Sequence, residues 1–486
     1  MDAEAAKAEK KTNRYALYSS LVASMITIIF GYDTGVMSGA LLFMEEELAL
    51  NHMQVQLLAG ILNVLALFGS IMAGKSTDYF GRRWSIAIAS FLFMLGSILM
   101  GWGPNYGTVL AGRCAAGIGV GFALMVAPVY ASEIAGAKTR GLVGSLPELG
   151  IGIGIFLGYL GNYFFSDLPL TVGWRVMLGI AAVPSLGLLF VIFKLPESPR
   201  WLALQGRLGD AKKVLMRTSN TKEEAEVRFN GIKEAVGIDE NCQDDVVVIP
   251  KKEEEASVWR EMIFPTPTVR RVMLAAIGIH FFEHATGIEA VMLYSPRIFR
   301  KAGITKRKNL LRCTIGVGAT KVLFLVISTF LLDRLGRRKL LLGSVAGMIF
   351  TLGVLGVTLT FAGNATGTLT WALVVSIIAV YGFVASFNSG LGPCTWVYSA
   401  EIWPIHLRAQ GSGVAVAVNR LMNATISMTF ISIYTAITIG GTFFLFCGMA
   451  VIAFVFFYYL CPETKGKSLE EIQMLFTKQK KNADAV

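Results

Sequence analysis

Seven ionisable side chains stand inside long apolar runs: Asp33, Arg113, Glu148, Glu283, Glu289, Lys321 and Arg420. At the centre of a bilayer a charge costs roughly 2.5–3.5 kcal/mol on insertion scales, so it is kept where it works or is paired. Carboxylates and cations in such surroundings can exchange a proton, form an ion pair that opens and closes, or bind hydroxyl groups through charge-assisted hydrogen bonds. Asp33 is singled out by its setting, Gly31-Tyr32-Asp33-Thr34-Gly35, where a carboxylate is removed from water. Several pairings with the basic residues are open, and spacing alone does not choose among them. No nucleophile stands in a pattern with a base, so covalent catalysis is not expected and the chain does not read as an enzyme.

The elements that must hold these residues are membrane spans. Of 486 residues, 54% are hydrophobic and 16% charged, against about 25% charged in soluble domains. A helix needs roughly 20 apolar residues to cross the hydrocarbon. On that measure spans are expected near 15–43, 56–77, 84–102, 107–132, 142–165 and 174–195. A second set is expected near 270–298, 311–333, 339–362, 370–400, 409–434 and 439–461. The stretch 196–265 between them is rich in Lys and Glu; it is expected to hold no core of its own and to form short helices on the membrane surface. The expected organisation is a six-helix half in 1–195, a linker in 196–265, a second half in 266–461 and a tail in 462–486.

The two halves repeat. Asp78-Tyr79-Phe80-Gly81-Arg82-Arg83 returns as Asp333-Arg334-Leu335-Gly336-Arg337-Arg338. Glu133 and Arg140 return as Glu401 and Arg408, and Pro196-Glu197-Ser198 as Pro462-Glu463-Thr464. Basic residues crowd the loops on one side, which also receives both tails, and the positive-inside rule makes that side cytoplasmic. One loop breaks the rule: Arg297, Arg300, Lys301, Lys306, Arg307, Lys308 and Arg312 gather on the opposite side. The net charge of +11 is assigned to these loops, and no nucleic-acid partner is expected.

Taken together, Gly31 to Val36, Gly112-Arg113, Glu133 with Arg140-Gly141, Pro196-Glu197-Ser198-Pro199-Arg200-Trp201-Leu202, Tyr294-Ser295-Pro296, Trp396, Glu401 with Arg408, and Pro462-Glu463-Thr464-Lys465-Gly466 resemble the sugar porter family of the major facilitator superfamily. Within it the chain looks most like the plant polyol and monosaccharide transporters. The resemblance implies an all-α fold of twelve spans in two six-helix halves, both termini cytoplasmic, and a solute site between the halves. It implies Asp33 as the proton site and Arg113 as its switchable partner. It also implies that Arg82, Arg83, Glu133, Arg140, Glu197, Arg200, Arg337, Arg338, Glu401 and Arg408 lock the cytoplasmic face by charge pairs, although positive charge that stops translocation would select the same basic residues.

The solute site departs from the family pattern. Where many sugar porters carry glutamines and an asparagine in span seven, this chain aligns Glu283, His284 and Glu289; Lys321 aligns with an asparagine of span eight. Glu148 replaces a glutamine of span five and Arg420 a tryptophan of span eleven, while Asn419, Asn423, Tyr294 and Trp396 are retained. Charged groups suit the hydroxyls along a linear polyol better than the flat face of a hexose. The expected function is therefore proton-coupled symport of linear polyols, extending to cyclitols and monosaccharides. A hexose-preferring symporter, an uncoupled facilitator and a transporter-like sugar sensor are the alternatives. The expected partners are the solute, protons and the lipid bilayer. The chain is expected to act as a monomer in the plasma membrane, with no metal and no cofactor beyond the proton gradient. His280-Phe281-Phe282-Glu283-His284 imitates a zinc-protease helix motif, but no third ligand is evident.

Overall fold

The computed structural model describes residues 13–135, 140–236, 238, 244–247, 260–365, 369–404, 407–465, 467, 471–472 and 474–476, with no side-chain description at 140–145, 235–236, 333 and 409. The first half is built of α1 (Arg14–Glu47), α2 (His52–Phe80), α3 (Arg82–Trp102), α4 (Tyr106–Ile134) and α5 (Arg140–Phe164), with α6 (Leu170–Gly179) and α7 (Ala182–Val191) sharing the sixth pass. Three short helices follow: α8 (Pro199–Leu204), α9 (Leu208–Thr218) and α10 (Lys222–Val236). The second half holds α11 (Pro267–Ala285), α12 (Ile288–Ala302), α13 (Arg307–Leu335), α14 (Arg337–Asn364), α15 (Thr370–Ser389), α16 (Leu391–Ile402), α17 (Arg408–Ile437) and α18 (Ile439–Leu460). Among the described residues, eleven spans are long and apolar enough to cross a bilayer. The pair α11–α12 is the further pass that a twelve-span order needs; within each half the helix ends beside Gly81 or Gly336 are termed the tail side and the opposite ends the far side.

The helix starts follow local chemistry. Asn13 caps α1 by accepting from the amides of Tyr15 and Ala16, and Asn51 and Gln54 form a reciprocal capping box at α2. Thr266 caps α11 with Pro267 in its first turn. Span seven differs from its expected continuous form over 270–298. It breaks at Thr286-Gly287, where Gly287 has φ 87° and an added Cβ would lie 2.5 Å from the Phe446 ring. Only glycine meets both demands, so the chain leaves one helix and starts another there.

The segment after the sixth pass also corrects an expectation. Leu202, Ala203, Leu208, Ala211, Leu215, Ala225, Phe229 and Ile232 of α8–α10 are buried together, with Trp201, Val214, Ile238 and Val247 packed around them. Three amphipathic helices pool their apolar faces into a core none could build alone. Arg228 then joins α10 to the membrane part, donating to the carbonyls of Glu133, Ile134 and Ala135 at the end of α4.

Packing divides the chain into two compact units. The first is Met1–Asp33, Leu65–Gly154 and Leu178–Lys252; the second is Thr34–Val64, Ile155–Met177 and Glu253–Val486. In the first, glycines set the helix spacing: a Cβ on Gly31 would lie 2.2 Å from the Ile151 carbonyl oxygen, and one on Gly154 2.1 Å from that of Ile28. Small residues bring α1 and α5 into backbone contact, as expected where helices associate in lipid.

In the second unit the misplaced basic loop finds its explanation. Arg297 pairs with Glu45 at 2.5 Å, Arg307 with Glu46, and Lys308 with Asp167 at 2.7 Å. Arg312 donates to the Tyr163 hydroxyl, and Glu47 accepts from Trp174 and from Arg175. The positive charge at the start of α13 is thus answered by carboxylates at the far-side ends of α1 and α5.

Candidate functional site: intramembrane charge clusters and paired helix caps

Two side chains of the first unit meet in isolation from water. Arg113 of α4 donates from Nη1 to Asp33 Oδ2 of α1 at 2.5 Å, with side-chain exposures of only 2% and 4%. Such a pair is held by mutual attraction against a desolvation cost of several kcal/mol per ion. Removing either charge therefore takes from the other the counter-charge at this contact. Glu148, on α5 of the same unit, is half-buried and makes no hydrogen bond or ion pair among the described residues.

The second unit gathers most of the remaining candidates. Asn419 Nδ2 donates to Glu283 Oε2 at 2.6 Å and lies 3.1 Å from His280 Nδ1. Arg420 turns back on its neighbour, its Nε donating to Asn419 Oδ1 at 3.0 Å. Across the helix break, His284 Nδ1 stands 3.5 Å from Glu289 Oε1. The break causes this meeting, because it lets Glu289 in the first turn of α12 come back beside the end of α11. Lys321 of α13 is buried, lies within electrostatic reach of His284, and makes no hydrogen bond or ion pair among the described residues. The Trp396 ring meets His280 edge-on at 5.2 Å. Asn423 accepts a long bond, 3.4 Å, from Ser427.

Tyr294 has a positioning geometry. It is kinked out of helical conformation at φ −107°, ψ 16°, stacks on Phe430, and donates its hydroxyl to the Ser427 carbonyl at 2.7 Å. Pro296 follows, and having no amide hydrogen it cannot bond the Met292 carbonyl one turn back. That orphaned oxygen accepts from the Tyr159 hydroxyl instead, at 2.6 Å. The half-helix α12 is thereby pinned to α5 and α17 at its weakest point.

The sequence reading omitted His280 from the solute residues. Its signal was the four-residue spacing to His284, which puts both rings near one helix face with Glu283 between them. The zinc motif drew attention to the wrong chemistry: His280 and Glu283 are both engaged by Asn419.

At the tail side the repeat holds as matching helix caps and arginine–glutamate pairs. Arg82 forms a bidentate pair with Glu133, at 3.0 and 3.1 Å; Arg337 pairs with Glu401 at 2.9 Å. Glu197 accepts from the amides of Arg82 and Arg83 at the start of α3, while Glu463 accepts from those of Arg337 and Arg338 at the start of α14. Each carboxylate is a helix cap supplied from a distant point in the chain, placed where the helix dipole favours negative charge. Gly81 at φ 94° and Gly336 at φ 90° make room: a Cβ would lie 2.5 Å from Glu197 Oε2 and 2.7 Å from Glu463 Oε2. Arg83 and Arg338 donate to the carbonyls ending the sixth and twelfth passes, Leu195 and Tyr458.

Two members of the expected charge sets behave differently. Arg200 is exposed and makes no ion pair among the described residues, because Glu197 is already satisfied by three amides, including that of Ser198. Arg408 bonds the Trp403 carbonyl rather than Glu401, which is occupied by Arg337 and Thr464. The side chain of Arg140 lies outside the described residues. Burial raises the pKa of Glu197 above the ordinary glutamate value, opposed by the amide hydrogen bonds of Ser198, Arg83 and Arg82.

Comparison with known proteins agrees with this architecture. "Probable polyol transporter 6" of Arabidopsis thaliana is 62% identical over 466 residues, covering 96% of this chain and 94% of the relative. "Polyol transporter 5" of the same plant is 51% identical over 469 residues, covering 96% and 87%. Among solved structures, the major facilitator proton:xylose symporter XylE bound to 6-bromo-6-deoxy-D-glucose superposes with a TM-score of 0.78 at 26% identity, covering 96% of this chain and all of that one. The inward-open form of XylE from E. coli gives a TM-score of 0.77 at 26% identity, covering 95% and 100%. Residues 19–476 match the family described as "Sugar (and other) transporter", and with twelve passes, a repeated Gly-Arg-Arg cap and relatives matched along nearly their whole length, this chain belongs to that family of membrane transporters.

Proposed function

We propose that this chain is a proton-coupled symporter of linear polyols, working by alternating access, with cyclitols and monosaccharides as further solutes. The observation that carries the reading is the Asp33–Arg113 pair, buried and directly hydrogen-bonded. A pair held this way is a two-position device: protonation of Asp33 removes the attraction, frees Arg113, and lets α1 and α4 part. Deprotonation restores it. The relatives named as polyol transporters support the solute class, and the likeness to a proton:xylose symporter supports coupling.

The solute would be held by the charged group of the second unit. Asn419 and Glu283 present an amide and a carboxylate, His284 a buried imidazole, and Lys321 an ammonium with three donor hydrogens. Glu289, Arg420, Asn423 and Trp396 complete the set. Acids and bases together match the alternating donor and acceptor needs of successive hydroxyls. In this reading the tail side is cytoplasmic, the membrane is the plasma membrane, and the monomer is the working unit. The charge pairs and helix caps of Arg82, Glu133 and Glu197, and of Arg337, Glu401 and Glu463, hold each half rigid as it moves.

The test is uptake of labelled sorbitol, with glucose and myo-inositol as comparators, into proteoliposomes with and without an inward proton gradient. Accumulation of sorbitol only with the gradient is expected. Equal uptake regardless of gradient overturns the coupling, and preference for glucose overturns the solute class.

A further inference from the structure

The far-side charges have a purpose that neither topology nor solute binding assigns. Of the three ion pairs joining the start of α13 and the end of α12 to the first-half helices, two are exposed: Arg307–Glu46 at 34% and 56%, and Lys308–Asp167 at 44% and 70%. Exposed pairs are screened by salt and contribute little. Arg297–Glu45 is different, at 12% and 27% exposure with a 2.5 Å contact. Its neighbour Glu47 is already engaged by Trp174 and Arg175, so Glu45 is the acid left to meet Arg297.

Arg297 lies on α12, the half-helix that also carries Glu289 and Tyr294. Glu45 lies on α1, the helix that carries Asp33, twelve residues away along continuous helix. At about 1.5 Å per residue the two carboxylates are spaced roughly 18 Å along one rod. We infer that Glu45 is a positioning residue for transport: its pair with Arg297 seats α12 against α1 when the far side is closed, and must open before solute enters from that side. Three holds then act on α12: the Tyr159 hydroxyl on the Met292 carbonyl, the Tyr294 hydroxyl on the Ser427 carbonyl, and Glu45 on Arg297. The first two use neutral groups. The third is an ion pair, and it ties the solute-bearing half-helix to the helix that bears Asp33.

This inference rests on alternating access, but not on which solute moves. Its test therefore includes a readout that needs neither solute nor gradient. An added Cβ at Gly60 of α2 would lie 2.2 Å from Met428 Cγ of α17, so cysteines at these two positions sit within disulfide reach while the far side is closed. In a version lacking the native cysteines, Gly60→Cys with Met428→Cys is cross-linked in membranes by a mild oxidant. Adding Glu45→Arg or Arg297→Glu is expected to cut the cross-linked fraction several-fold, and the double swap, Glu45→Arg with Arg297→Glu, to restore it. With native Met428 and Gly60, each single swap should lower the maximal uptake rate about tenfold while also lowering the apparent KM for far-side solute, and the double swap should recover most of both. Should a single swap fail to fold, Glu45→Gln gives the same comparison with less charge disturbance. Unchanged cross-linking in the single variants, or a double swap no better than the worse single one, overturns the inference. Normal cross-linking shifts with no gradient-driven sorbitol uptake in any form would instead count against the proposed function and leave the positioning role standing.

Discussion

Replacing Asp33 by Asn removes one charge from a pair in which both side chains are at most 4% exposed. The guanidinium of Arg113 is then left without its counter-charge, at a cost of about 3–5 kcal/mol for a broken buried pair. That penalty falls only on the state in which the pair is closed, so the variant should populate the open arrangement by a factor of roughly 10² or more. Coupling disappears for a separate reason: asparagine carries no exchangeable proton charge. In the native protein a gradient of one pH unit contributes about 1.4 kcal/mol and an inside-negative potential of 100 mV about 2.3. Together they allow a ceiling of roughly 500-fold sorbitol accumulation with one proton per solute. The assay is steady-state accumulation in proteoliposomes under a fixed gradient, beside solute counterflow with no gradient. Asp33→Asn is expected to equalise sorbitol across the membrane while still exchanging it in counterflow. Accumulation above about tenfold by the variant would refute the assignment, because the driving proton would then be carried elsewhere.

Further outcomes follow from the same geometry. Gly81→Ala forces a side chain into positive φ against Glu197 and should lower the melting temperature in detergent by several degrees, with Gly336→Ala behaving alike. Because burial raises the pKa of Glu197, the folded chain takes up a proton more readily than the unfolded one. Stability should therefore gain a favourable contribution as pH falls from that raised value towards the unfolded value of about 4.3, a slope that Glu197→Gln abolishes in pH-scanned melting. Lys321→Asn restores the residue type that many sugar porters carry there and should shift preference from sorbitol towards glucose in competition uptake; unchanged selectivity would remove Lys321 from the solute contacts. Arg228→Ala strips three carbonyls at the end of α4 of their donor and should loosen α8–α10, read as faster proteolysis of that segment.

The spans were legible because each is a run of apolar residues of the right length, and eleven were recovered within a few residues. Gly287 was visible as a letter but not as a break, since its role depends on the Phe446 ring arriving from α18. The repeat was legible as spacing, yet spacing suggested Glu401 and Arg408 as one set. The actual partner of Glu401 is Arg337, on another helix, where two chain segments meet only after folding. The core of α8–α10 was hidden because its residues are scattered one or two per turn among lysines and glutamates. Glu45, Glu46 and Glu47 were overlooked for a simpler reason. The meaning of Glu45 and Glu46 lies in Arg297 and Arg307, more than 250 positions later, and that of Glu47 in Trp174 and Arg175, and charge complementarity over such distances has no local signature.

The broken seventh pass carries a consequence for biogenesis. Neither α11, 19 residues long, nor α12, with Glu289, Arg297, Arg300 and Lys301 in 15 residues, is among the stretches apolar enough to partition into lipid unaided. The segment is therefore expected to integrate stably only once α13 and α17 have been synthesised and can receive its polar groups. In a nascent chain truncated just after Ala302, residues 267–302 should remain open to aqueous thiol reagents at introduced cysteines, whereas in one extended through α17 the same positions should be protected.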